Sequence, residues 1–187
     1  MNKWKLARGG YLVMAGIFCL AGVIQLLLTP MAPTFLVAGT GVVLSAYGVI
    51  KIIGYFSRDL YCLAFQYDLA SGLFLIVLGV LLLSLLSSAA QLMPYLTPGL
   101  GLLLALDSLL SVQMSADARR FGLETWPVVL AASLTAFGFG LLLLAASFRE
   151  SWNDRLFAGL ALIAEGAKTL CVVQCTVKLR EPPQPLY

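Results

Sequence analysis

The sequence predicts an all-α polytopic membrane protein with six transmembrane helices, built as three parallel α-hairpin repeats. Of its 187 residues, 60% are apolar and 11% are charged, and the mean hydropathy is +0.94, whereas soluble domains carry about 25% charged residues. Six apolar segments approach the roughly 20 residues that a helix needs to cross the hydrocarbon core. Backbone polar groups in lipid must be paired within their own segment, so each span is predicted to be helical. The predicted spans are 11–28, 35–56, 63–86, 92–114, 126–148 and 156–177.

The first span, 11–28, follows a basic stretch at 3–8. This order is also typical of a secretory signal peptide, whose apolar region is about 7–15 residues long. The span is longer than that and its glycine pattern recurs in two later spans, so we assign it to the folded domain. The second span, 35–56, follows a turn at 29–33 that contains two prolines, which are tolerated where a helix begins.

The later spans are bounded by polar or proline-bearing segments. Pro94 and Pro98 mark the predicted start of the fourth span, 92–114, and a polar joint at 115–125 leads to the fifth. Aromatic side chains near the span ends are expected to lie at the headgroup level and to imply no binding site. They are Trp4, Tyr11, Tyr55, Tyr61, Tyr95, Trp126 and Trp152.

Two glycine series reveal an internal repeat of about 60 residues. The odd spans align through Gly22, Gly79 and Gly140, and the even spans align separately through Gly41, Gly101 and Gly159. Each copy holds two spans, so successive copies enter the membrane in the same direction, around an axis along the membrane normal. We therefore predict one membrane domain, 1–187, with repeats at about 11–56, 63–114 and 126–177 and a short cytoplasmic tail at 178–187.

The distribution of basic residues predicts the orientation, because short cytoplasmic loops retain Lys and Arg. Eight of these residues fall on the side of the two termini, and the fifth loop places Arg149 and Arg155 on the other side. Both termini of this multi-pass membrane protein are therefore expected in the cytoplasm. The eight residues are Lys3, Lys5, Arg8, Arg58, Arg119, Arg120, Lys178 and Arg180.

Composition also argues against several function classes. The formal net charge of +3 is far from the concentrated basic surface that nucleic-acid binding needs. The chain has no His, no Walker A sequence and no Gly-x-Ser-x-Gly or dinucleotide-binding motif. We expect no enzyme activity, no catalytic residue, no cofactor and no metal site. The expected partner is the lipid bilayer, while a homo-oligomer and a small-molecule or ion substrate are left open.

Small residues recur at helical spacing in two spans. Such stripes allow close helix packing, which must replace the hydrophobic drive that lipid does not provide. The alternative is a glycine-lined conduction path or substrate cleft, and we favour the packing interpretation. The predicted packing residues are Gly41, Ser45 and Gly48 in the second span and Ala132, Ala136 and Gly140 in the fifth.

Five ionisable side chains fall inside the predicted spans, where charge is unfavourable unless it is turned inward or paired. Lys51 lies near a helix end, so we expect its ammonium to reach the interface and its role to be structural. Asp107 and Glu165 occupy the same repeat position, which Tyr47 holds in the first copy. Glu165 and Lys168 are three residues apart and are predicted to pair. The candidate intramembrane polar cluster is Asp68, Asp107, Glu165 and Lys168.

Two interpretations of this cluster are open. A carboxyl group removed from water can titrate near cellular pH, which makes the cluster a candidate proton-responsive element. Alternatively, the polar groups lock the helix register. A responsive cluster requires that Asp107→Asn changes a pH-dependent signal, whereas a lock predicts altered stability alone.

The repeat resembles a known family. Each two-span unit begins with an aliphatic run that ends at Gly. A short turn that contains proline follows. The second span is an apolar run between two glycines, and basic residues follow at its cytoplasmic end. The repeat resembles the HdeD-type acid-resistance membrane proteins of bacteria in two segments. One is 16–55. The other is Arg-Arg-Phe-Gly-Leu-Glu-Thr-Trp at 119–126, which leads to Gly138 and Gly140. The resemblance implies six inner-membrane spans and a role in acid stress, without catalytic residues to transfer. The embedded charges, Asp68 in particular, depart from that pattern.

These observations predict a small bacterial inner-membrane protein of the HdeD type that acts in acid or envelope stress without enzyme activity. One alternative is a small proton-linked transporter or channel with a path past Asp107 and Glu165. Another is a structural membrane partner that forms oligomers.

Overall fold

A computed structural model describes residues 3–27, 32–56, 68–149 and 153–176. In these residues the chain forms six α-helices and one 3₁₀ turn, Leu86–Ser88, and no β-strand. The predicted all-α class is therefore confirmed. The helices are α1 (Lys3–Leu27), α2 (Pro33–Tyr55), α3 (Asp68–Ser84), α4 (Ala89–Arg120), α5 (Trp126–Ala146) and α6 (Asp154–Thr176).

Five of these helices are long and apolar enough to cross a bilayer, namely α1, α2, α4, α5 and α6. The third predicted span is described only from Asp68, as a 17-residue apolar helix. Its predicted first residues, 63–67, lie outside the described part of the chain, as does the tail at 178–187. The length and composition of the helices support a multi-pass membrane protein.

Helix α4 differs most from its predicted bounds. It starts before Pro94 and Pro98, which both lie inside the helix, so the prediction that they mark its start is wrong. It also extends past residue 114 to Arg120, which shortens the predicted polar joint. Gly122, at φ 71°, ends the helix, and the bonds from Gly122 N–H to Arg119 O and from Leu123 N–H to Ala118 O form a Schellman motif.

The closest helix pairs are α1 with α6, α2 with α3, and α4 with α5. These pairs are not the hairpins predicted along the chain. Helix α3 packs on α2 and α5 packs on α4, so each of these pairs joins one predicted hairpin to the next. Helix α6 packs on α1 and thus joins the last hairpin to the first. The repeated unit along the chain and the closely packed unit in space are therefore different.

The two glycine series meet at these three interfaces. A Cβ atom added at Gly22 would lie 2.6 Å from the Gly159 carbonyl oxygen. At Gly41 the corresponding distance, to the Gly79 oxygen, is 3.0 Å, and at Gly101 the distance to the Gly140 oxygen is also 3.0 Å. Only the missing side chain lets each pair of backbones approach so closely.

The buried stripe of α5 differs by one residue from the predicted one. Ala136 and Gly140 are buried as predicted packing positions require, but Ala132 is half-buried and the neighbouring Ser133 is fully buried. Because a helix turns every 3.6 residues, a buried stripe alternates steps of three and four residues, and repeated steps of four drift off the interface. Ser133 satisfies its hydroxyl by donating to Val129 O at 2.7 Å.

We expect Ala136→Leu to lower the free energy of unfolding by about 1–2 kcal/mol, because the added carbons enter a packed interface. Ala136 is 2% exposed. Ala131→Leu is the matched control, since Ala131 lies on the exposed face of the same helix. The thermal midpoint in detergent should fall for the first variant and stay unchanged for the second. Equal midpoints would contradict the packing role of Ala136.

Candidate functional site

Five ionisable side chains from four helices lie together inside the helix bundle. We call Lys51, Asp68, Asp107, Glu165 and Lys168 the charged cluster. It lies toward the end of the bundle where α1, α3 and α5 begin and where α2, α4 and α6 end, which we call the termini face. Two hydrogen bonds join helix ends there, from Ser115 Oγ to Trp126 O and from Thr125 Oγ1 to Cys175 O.

Asp107 is the centre of the cluster because its two oxygens face two different lysines. Lys51 Nζ lies 2.8 Å from Asp107 Oδ1, and Lys168 Nζ lies 2.6 Å from Asp107 Oδ2. Lys51 Nζ also lies 3.2 Å from Asp68 Oδ1, and Lys168 Nζ lies 2.8 Å from Glu165 Oε1. The five groups thus alternate in charge along one continuous network that links α3, α2, α4 and α6.

Helix α1 joins the network through Tyr11, whose hydroxyl donates a hydrogen bond to Asp68 Oδ2. Tyr11 is buried and packs edge-on against the Tyr47 ring. The prediction that Tyr11 marks the membrane interface is therefore wrong for this residue, because a carboxylate inside the bundle gives its hydroxyl a partner there. Sequence reasoning had no signal for this contact, which joins residues 57 positions apart.

Lys51 is also placed differently from its predicted position. Its side chain is 7% exposed and turned inward, where it contacts Asp68 and Asp107 and lies 5.0 Å from the centre of the Tyr47 ring. Two carboxylates and an aromatic face stabilise the ammonium inside the bundle better than an extended route to the interface would. Lys51 therefore belongs to the site, and the expectation that it reaches the interface is wrong.

The three repeat-equivalent residues Tyr47, Asp107 and Glu165 are connected through the two lysines. Lys51 lies between Tyr47 and Asp107, and Lys168 lies between Asp107 and Glu165. Each lysine follows its own repeat residue by three or four positions, which is one helical turn. Thus the pseudo-repeat places one aromatic and two carboxyl groups where two cations can bridge them.

Charges in the cluster do not balance when every group is ionised. Three carboxylates face two ammonium groups, which leaves one negative charge in excess. Glu165 is 1% exposed, and neither of its oxygens has a hydrogen-bond partner in the described residues, although Oε1 is in the ion pair with Lys168. A single proton on one carboxyl group would make the cluster neutral.

A small cavity of about 40 Å³ lies next to the cluster. Because a water molecule needs about 10–15 Å³ measured in this way, the cavity has room for two or three. Asp107 and Lys168 line it, whereas Glu165 is absent from its wall. Other polar side chains in the lining are Tyr11, Tyr47, Lys51, Asp68, Ser111 and Thr169.

An apolar layer separates the cluster from the opposite end of the bundle. Leu104 and Leu143 are buried there together with Ala158 and Ala161. Leu104 precedes Asp107 by one turn on α4, and Ala161 precedes Glu165 by one turn on α6, so this layer lies directly beyond the carboxyl groups. The close glycine contacts continue the tight packing at this level. The cavity and the layer of Leu104 and Leu143 therefore lie on different sides of the carboxyl groups.

Among the described residues, no group of three His, Cys, Asp or Glu side chains is arranged to hold a metal ion. Cys19, Cys171 and Cys175 are free thiols. The ion pairs of the charged cluster allow the gain and loss of protons and the making and breaking of contacts between helices.

Comparison with known proteins finds one family. Residues 13–84 match the short repeat of unknown function DUF308. This segment runs from the first turns of α1 through α2 to the end of α3. No curated protein and no solved structure matches the chain. Over the first part of its helix bundle, this multi-pass chain is thus similar to the DUF308 repeat.

Proposed function

We propose that this protein is a small bacterial inner-membrane protein of the HdeD type that acts in acid or envelope stress, without enzyme activity, by responding to protons. The family match supports this proposal, because HdeD-type proteins belong to the DUF308 family. The observation that carries it is the charged cluster, where three carboxyl groups and two lysines form one buried network.

Protonation would change how the helices are held together. Asp107 on α4 is the link between Lys51 on α2 and Lys168 on α6. Ion pairs in a low-dielectric interior are strong and sensitive to the loss of one charge. A proton on a cluster carboxyl group therefore alters the balance of contacts among these helices. This gives the bundle two electrostatic states whose populations depend on pH.

The position of the cluster suggests which compartment it responds to. The cavity beside Asp107 lies toward the termini face, and the apolar layer lies on the other side. In the orientation favoured by the basic residues, the termini face is cytoplasmic. The protein would then respond to acidification of the cytoplasm. Apolar side chains on the outside of the helices, such as Val77 and Leu109, would face the lipid bilayer.

Asp107→Asn should abolish a pH-dependent change in conformation. The measurement is intrinsic tryptophan fluorescence or limited proteolysis of the full-length protein in lipid nanodiscs, across a pH series. Asp117→Asn is the matched control, since Asp117 lies on the same helix and pairs with the exposed Arg120. We expect the control to retain the wild-type pH response. A wild-type protein without any pH response, or an Asp107→Asn variant that keeps it, would contradict the proposal.

Proton-linked transport is the second candidate, and the cavity that Asp107 lines favours it. Transport additionally requires the apolar layer to open, because protons must leave on the opposite side. Proton flux in liposomes under an imposed pH gradient separates the candidates. Flux that is lost in Asp107→Asn would indicate transport, whereas a pH response without flux would indicate sensing. A stable oligomer with neither property would favour a structural role.

A further inference from the structure

We infer that Glu165 is the terminal binding site for one proton, and that Asp107 relays this proton from the water-sized cavity to Glu165. The inference rests on the proposed proton response and assigns it to one group and one route. It follows from the burial of Glu165, from the charges around it, and from the position of Asp107 between Glu165 and the cavity.

Glu165 is the carboxyl group of the cluster with the fewest partners. Asp68 has contacts to Tyr11 and Lys51, and Asp107 has contacts to two lysines. Glu165 has only the ion pair of Oε1 with Lys168, and its Oε2 has no hydrogen-bond partner in the described residues. A buried polar atom without a partner is strongly unfavourable, and more so when it carries charge. Glu165 is therefore the carboxyl group that gains most from a proton.

The surroundings of Glu165 contain both charges and neutral hydroxyl groups from the helices packed near it. Glu165 and Asp107 both contact the Lys168 ammonium, at 2.8 Å and 2.6 Å, which places the two carboxyl groups next to each other. Two ionised carboxylates are acceptors only, so a proton on Glu165 turns it into a donor toward its neighbour. Helix α5 has no ionisable side chain. The network that includes Glu165 contains Tyr11 from α1, Tyr47 and Lys51 from α2, Asp68 from α3, Asp107 from α4 and Lys168 from α6.

Asp107 is placed to transfer the proton. Its side chain is 17% exposed and lines the cavity, whereas Glu165 is 1% exposed and does not line it. Both carboxyl groups lie within 2.8 Å of the same Lys168 nitrogen. A hydronium ion transfers its proton to an Asp107 oxygen and becomes water. The new O–H bond at Asp107 then breaks as the proton binds a Glu165 oxygen. Asp107 returns to its ionised form between the two lysines, and the cluster becomes neutral.

Apolar side chains lie on the side of the two carboxyl groups that faces away from the cavity. Leu104 and Ala161 close the bundle one turn beyond the two carboxyl groups, and both are buried. In the proposed route the proton therefore enters and leaves through the cavity that Asp107 lines. A site of this kind binds and releases one proton without passing it across the membrane.

Infrared difference spectroscopy of the full-length protein in nanodiscs tests the assignment. A protonated, buried carboxyl group shows a C=O stretching band that ionised carboxylates lack. We expect wild-type protein to gain one such band as pH falls, and Glu165→Gln to lose it completely. Glu124→Gln is the matched control, because Glu124 is exposed in the joint between α4 and α5, and it should keep the band. Asp107→Asn should retain a shifted band that appears more slowly after a pH jump.

Each outcome has a distinct meaning. A band that persists in Glu165→Gln but disappears in Asp68→Asn would overturn the assignment to Glu165. No band in wild-type protein at any pH at which it stays folded would also overturn it. These results are separable from failure of the proposed function, because a conformational pH response that survives in Glu165→Gln would locate the response at another carboxyl group. Glu165→Gln should stay folded, since the neutral amide has the shape of the protonated acid and can donate to Asp107.

Discussion

Lys168→Met is expected to lower the free energy of unfolding by about 3–5 kcal/mol, the largest effect of any single change to the cluster. Lys168 is 2% exposed and holds Asp107 and Glu165 at 2.6 Å and 2.8 Å. Methionine fills a similar volume but removes the positive charge. The change leaves two buried carboxylates with one fewer cation. Thermal and denaturant unfolding in detergent, followed by circular dichroism, measures the loss.

Two further variants identify the cause of this loss. Combining Lys168→Met with Glu165→Gln removes one carboxylate as well, so the excess negative charge returns to the wild-type value and stability should be partly restored. Arg120→Met is the surface control, because this side chain is 81% exposed and its pair with Asp117 is expected to contribute less than about 1 kcal/mol. If the double variant were as unstable as Lys168→Met, the loss would come from packing and not from uncompensated charge.

Gly48→Leu is expected to destabilise the protein by about 3 kcal/mol, since it separates two helices that pack backbone to backbone. A Cβ atom at Gly48 would lie 2.5 Å from the Gly72 carbonyl oxygen and 2.8 Å from Ile76. A carbonyl group in a helix cannot turn away as a flexible side chain can, so α2 and α3 must move apart. The thermal midpoint in detergent and the yield of folded protein measure the effect.

Gly39→Leu on the same helix is the matched control. Gly39 is exposed, and a Cβ atom there would meet no atom within 4 Å. Leucine also has a higher helix propensity than glycine by somewhat less than about 1 kcal/mol. This variant should therefore be as stable as the wild type or slightly more stable. Equal destabilisation at both positions would show that the effect is a general response to leucine and not to the contact at Gly72.

Local hydropathy and the positions of proline predict some helix boundaries of this chain and not others. The predicted bounds of α5 and α6 agree with the structure to within two residues, because apolar length alone fixes them. The bounds of α4 differ more. Prolines usually mark helix starts, yet Pro94 and Pro98 lie within the first turns of a helix that begins at Ala89. At the other end, Ala118 is buried, so packing extends the helix to the glycine that terminates it.

The candidate site was only partly visible in the sequence. The pair of Glu165 with Lys168 is local, since the residues are one turn apart, and it is present at 2.8 Å. The partners of Asp107 are distant along the chain, and Lys168 follows it by 61 residues. Lys51 lies near a helix end, where sequence reasoning alone favours an interfacial position. Its inward position depends on two carboxylates from other helices.

The sequence by itself determined the membrane class, the helical secondary structure and the glycine positions that recur in the three repeats. These follow from hydropathy, span length and residue size, which are properties of each segment alone. The tertiary structure decided which helices pair, which glycines meet and which lysines neutralise Asp107. Those contacts join segments far apart in the chain, and Coulomb and packing energies depend on the distances in space that folding creates.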